Sequence, residues 1–174
     1  MYSSYFLYIS HCPVHSAPMP TLVVYFHTPG RKNKPINHLV AQYDPPYSHC
    51  DVQFADGMMS SVYQHCGVCW RMCEFTGSGF SVVRLEVSED GYRRAYDMCR
   101  KRAENGYKFD FVGAYGFPLG KRGVVEHDSF GRTFCSKHTT EVLQLAGVAA
   151  VVGLVSAETT PSQLYRVLSP SVQM

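Results

Sequence analysis

His49-Cys50-Asp51-Val52-Gln53-Phe54-Ala55-Asp56-Gly57-Met58-Met59-Ser60-Ser61-Val62-Tyr63-Gln64 decides the fold. Two strand-like runs, His49 to Phe54 and Met58 to Gln64, flank Ala55-Asp56-Gly57. Asp-Gly between such runs is a hairpin signal, because the turn needs positive φ. Working outward, Gly67 to Phe75 and Phe80 to Val87 predict a second hairpin around Thr76-Gly77-Ser78-Gly79. Together the turns predict an antiparallel meander of about four to six strands. Upstream, Thr21 to His27 is β-branched and aromatic and reads as a further strand. Thr28 to Asn37 and the two-proline stretch Tyr43 to Tyr47 read as loops.

Helices follow the strands. Ser88 suits an N-cap, and Glu89 and Asp90 suit a first turn. Tyr92, Ala95, Tyr96, Cys99 and Ala103 share one helical face, and Gly106 suits the stop. Tyr107 to Gly123 is aromatic and glycine-rich, a mixed turn and short helical region. A second helix runs from Ser136 to about Ala146. A third begins at Thr160-Pro161, with Thr160 as cap and Gln163 completing a capping box. Strands packed against helices give an α+β class. Residues 1–40 form a lead-in carrying one strand, and 41–174 form the main domain.

Composition narrows the function. With 45% hydrophobic and 17% charged residues, the 174-residue chain can bury one sizeable core. A formal net charge of +2 gives no electrostatic case for nucleic acid, and the basic group Arg31–Lys34 reads as a solvated loop. The longest uncharged stretch, Val142 to Ala157, falls short of the roughly 18 apolar residues of a membrane span, so it reads as buried core. The region from Met1 to Pro20 lacks the basic and apolar blocks of a signal peptide. The cysteine count, 7, is odd. Free thiols in a reducing, cytoplasmic compartment are expected.

Cys135, in Phe134-Cys135-Ser136-Lys137-His138, sits where a helix begins. Helix-start N–H groups and the dipole favour a thiolate there, and the same groups suit an oxyanion. A buried core thiol would also satisfy the position. His49 opens the best-defined strand, and Asp51, two residues on, faces the same way. These are a candidate base and its orienting acid. His138, one turn into the Cys135 helix, reads as a solvated surface residue.

Four segments carry a resemblance. Tyr47 to Ser61 resembles the histidine hairpin of the circularly permuted, NlpC-type papain-like superfamily. Gly67-Val68 and Ser81 to Val87 are similar to that family's next strands. Gly106-Tyr107-Lys108-Phe109-Asp110-Phe111-Val112-Gly113-Ala114 resembles its Tyr-Asp-aromatic-x-Gly segment, with Phe109 in the Tyr slot. Thr133-Phe134-Cys135-Ser136 resembles its nucleophile junction. The order, histidine before cysteine, marks the permutation.

The resemblance implies a permuted papain-like fold and a cysteine hydrolase, a thiol peptidase or amidase or a lipid acyl hydrolase. Cys135 would be nucleophile, His49 base and Asp51 the third catalytic residue, with Ser60, Ser61 and Gln64 as alternatives to Asp51. It implies no cofactor, no metal, a peptide or lipid acyl substrate, and a viral or phage source. Lys137 stands where the family usually has Glu. That departure keeps open an inactive interaction protein of the same fold. A third reading is a small zinc module built on Cys66 and Cys69, whose two-residue gap suits a zinc knuckle.

Overall fold

The computed structural model describes residues 18–30, 35–73, 78–116 and 131–169. The start of the lead-in, Arg31–Lys34, Thr76-Gly77 and the 117–130 stretch with His127 lie outside the described residues. The class is α+β. Strands β1 (Thr21–His27), β2 (His49–Gln53), β3 (Met58–Tyr63), β4 (Gly67–Met72) and β5 (Phe80–Glu86) form one antiparallel sheet in the order β4-β3-β2-β1-β5. Five α-helices lie among the described residues: α1 (Pro35–Tyr43), α2 (Glu89–Glu104), α3 (Phe111–Gly116), α4 (Cys135–Leu145) and α5 (Pro161–Leu168). No helix among the described residues is long and apolar enough to cross a membrane.

The Asp56-Gly57 hairpin forms as its chemistry requires, with Gly57 at φ 83°. The second expected hairpin does not. β4 ends one edge of the sheet, while β5 pairs with β1 along its whole length, Thr21 opposite Glu86 through His27 opposite Phe80. β1, the strand of the 1–40 lead-in, therefore lies between β2 and β5. Local turn residues mark where a strand ends but not which distant strand it joins. α1 is a further difference, since part of the expected loop to Asn37 is helical from Pro35. Proline at a first helical position is favourable, because its missing N–H would be unpaired there anyway.

One face of the sheet carries Leu22, Val24, Phe26, Cys50, Val52 and Phe54. These pack against Ala95 and Cys99 of α2, Val142 and Leu143 of α4, and Leu164 and Leu168 of α5. Full burial of each large apolar side chain contributes about 1.5–3 kcal/mol. The Val142–Ala157 stretch divides. Val142, Leu143, Ala146 and Val151 are buried, but Val152 and Val155 are exposed beyond the end of α4. α2 and α5 start at Ser88 and Thr160, whose hydroxyls accept the Gly91 and Gln163 N–H groups.

A two-stranded parallel ladder, β6 (Lys108–Phe109) with β7 (Arg132–Thr133), leads straight into α4. It is tied to the main sheet where Val68 N–H donates to the Tyr107 carbonyl at 2.9 Å. Gly67 makes this approach workable. Its φ is +71°, and a Cβ there would lie 1.9 Å from the Tyr107 oxygen. Gly106 has φ +64° with open space around it. Gly106→Ala should therefore lose only the left-handed backbone penalty, about 1 kcal/mol. Gly67→Ala adds a backbone clash and should lose about 3 kcal/mol. Urea unfolding checks the difference, and equal losses would contradict the steric account.

Candidate active site

Cys135 is the first residue of α4, directly after β7. Its N-cap, Phe134, is extended and offers no side-chain acceptor, so the first-turn N–H groups keep their hydrogen-bonding capacity. α4 packs on β2, the central strand of the sheet. That docking brings Cys135 beside His49, and the charges of the two groups act on one another. Both line a cleft of about 450 Å³ together with Tyr43, Tyr63, Tyr115 and Phe134.

Asp51 is fully buried beside His49. Its Oδ1 lies 2.8 Å from His49 Nε2. A carboxylate only accepts, so Nε2 carries the hydrogen, and Nδ1 is the ring nitrogen left for Cys135. Ser61 Oγ also donates to Asp51 Oδ1 and lies 3.5 Å from His49 Nε2. The second carboxylate oxygen, Oδ2, is 2.9 Å from His27 Nε2. The His49 ring stacks on Tyr63, with centroids 5.0 Å apart and planes 22° apart.

Electrostatics set Cys135 apart from other buried thiols. Burial pushes Cys99 up to about 12, and burial together with Cys135 raises Cys50. Cys135 moves the other way. A hydrogen bond from the Cys50 side chain and the charge of His49 lower its pKa well below the ordinary value, against the opposing effect of burial. For His49, burial opposes a charge, but Asp51 and Cys135 outweigh it and raise its pKa well above the imidazole value. Burial likewise opposes ionisation of Asp51, yet His49 and His27 hold it well below the usual carboxylate range. Both displacements favour a thiolate and an imidazolium side by side at the start of α4, next to a buried carboxylate.

Of the other expected residues, Ser61 joins the cluster and Gln64 lines the cleft, but Ser60 turns away. Ser60 Oγ is 2.7 Å from His138 Nε2, away from His49. Gln64 Nε2 donates to the Tyr115 hydroxyl. His138 is not a surface residue. It is 1% exposed, packed among Ser60, Cys99 and Arg102. Sequence reasoning did not find His27, Cys50, Tyr63 or Tyr115 in this cluster. For His27 a signal existed, since it closes an apolar strand with a polar residue.

Cys66 and Cys69 are joined by a disulfide, so the expectation of free thiols fails at these two positions. Bridged sulfurs do not ligate zinc as thiolates. Among the described residues no cluster of three or more His, Cys, Asp or Glu could hold a metal ion. The knuckle reading therefore has neither its thiolates nor further ligands there. No family model, curated protein or solved structure matches the chain.

Proposed function

We propose that this chain is a cysteine hydrolase of the permuted papain-like, NlpC type, working through an acyl-enzyme. The observation that carries the reading is the opposite displacement of two groups lining one cleft: Cys135 is driven toward thiolate and His49 toward imidazolium. Burial alone would push both toward neutrality. The Cys135 thiolate attacks the carbonyl carbon of a peptide amide or a lipid ester or amide. First-turn N–H groups of α4 hold the resulting oxyanion. His49 then gives its Nδ1 proton to the leaving nitrogen or oxygen, and the C–N or C–O bond breaks to leave a thioester. His49 next takes a proton from water, whose oxygen attacks the thioester and releases acid and thiolate. Asp51 keeps the ring in place throughout, in the orienting role of a triad acid.

A tagged iodoacetamide near pH 6, where ordinary thiols with pKa about 8.5 are almost fully protonated, tests the assignment. Wild-type protein should be labelled at Cys135 and Cys135→Ala should not. Equal labelling of the two proteins would overturn it.

A further inference from the structure

Asp51 has two oxygens and two histidines. Oδ1 accepts a hydrogen bond from His49 Nε2 at 2.8 Å, and Oδ2 lies 2.9 Å from His27 Nε2, close enough for an ion pair but without hydrogen-bond alignment. The histidines stand directly opposite one another on β1 and β2, with ring centroids 5.7 Å apart, and both line the cleft. Around His27 stand Asp51 and His49 from β2 and the Phe80 ring from β5, centroids 5.9 Å apart; Cys135 of α4 is reached through His49. No reaction step assigned above needs His27.

We propose that His27 is a positioning residue, whose imidazole, held 2.9 Å from the outer oxygen of Asp51, keeps the inner oxygen aimed at His49. The inference rests on the assignment of Cys135 and His49 as nucleophile and base. A carboxylate free to turn about its last bond presents Oδ1 to His49 only part of the time. With His49 and Ser61 bonded to one oxygen and the His27 ring nitrogen close against the other, rotation would break two hydrogen bonds to a buried carboxylate, and this contact. The clamp fixes the His49 ring in one orientation, with Nε2 on Asp51 and Nδ1 left for the thiolate. Partners that orient a functional histidine in this indirect way typically matter by about 10–100-fold.

The test compares two amides of different reach. The Gln side chain can place an N–H near the position of His Nε2, whereas the shorter Asn cannot. The readout is the ionisation midpoint of Cys135, followed by ultraviolet thiolate absorbance and referenced to Cys135→Ala. His27→Asn should raise the midpoint by about one unit and slow acyl hydrolysis by about 10–100-fold. His27→Gln should restore both toward wild type. A purely structural role would lower thermal stability in both variants without separating their midpoints. Midpoints in Asn and Gln variants equal to wild type would overturn the clamp. If wild-type Cys135 itself ionised like an ordinary thiol, the nucleophile and base assignment would fail instead, which keeps the two failures distinct.

Discussion

His49→Ala should raise the ionisation midpoint of Cys135 by at least about two units, because it removes the cation beside the thiolate while leaving the site buried. In wild type the pair exists in a pH window. Its lower edge is the depressed Cys135 pKa, below which the thiol is protonated. Its upper edge is the raised His49 pKa, above which the imidazolium is lost. Hydrolysis should therefore follow a bell bounded by those two groups. The variant keeps no plateau on the acid side. Alkylation near pH 6 should slow by only about 10–30-fold, less than the loss of ionised thiol. A more basic thiolate is the better nucleophile, with a Brønsted coefficient of about 0.4–0.5. Acyl hydrolysis should fall about a thousandfold, since the variant also lacks the general acid and base. Thiolate absorbance against pH measures the first quantity. An unchanged midpoint would mean that the thiol is activated without His49.

His138 should make the fold acid-sensitive well above the carboxylate range. Burial first, and then the charge of Arg102, pushes its pKa down to about 3. The Arg102 guanidinium can only donate, so its 3.1 Å contact makes His138 Nδ1 the acceptor, and Nε2–H donates to Ser60. The neutral ring is thereby specified from both sides. An unfolded histidine titrates near 6.5. As the pH falls below that value, the unfolded chain binds a proton that the folded chain refuses. Stability is then complete above about pH 6.5 and declines to about pH 3, at 1.36 kcal/mol per unit and about 5 kcal/mol in all. His49 has the opposite sign but acts above that range: its raised pKa gives stability that is fully present below about pH 6.5 and is lost as the pH rises toward the folded value. His138→Gln keeps one donor and one acceptor. It should flatten the decline between about pH 6 and 4, at a loss of about 1–2 kcal/mol near neutrality. Urea midpoints across that range decide the matter, and a slope like that of wild type would remove His138 as its source.

Features governed by nearby residues were legible in the sequence: the Asp56-Gly57 hairpin, the Ser88 cap of α2 and the Thr160-Pro161 start of α5. Cys135 and His49 were legible as candidates because a helix start and a strand start each have local signatures. What escaped depends on partners far along the chain. β5 carries nothing that says β1 rather than β4. His138 looks like any polar residue on a helix until Ser60 and Arg102 close over it. Which of the serines faces the site depends on strand register. Ser60 pairs with Val52 and faces α4, whereas Ser61 reaches Asp51.

The proposed nucleophile and its proposed base lie far apart in the sequence and meet only where α4 docks on β2. Before that contact, Cys135 is a thiol of ordinary acidity in an open chain. A growing polypeptide therefore carries no reactive sulfur while it is being made. Chemical competence arrives with tertiary structure, and labelling at mildly acidic pH reports the fraction of molecules that have finished folding.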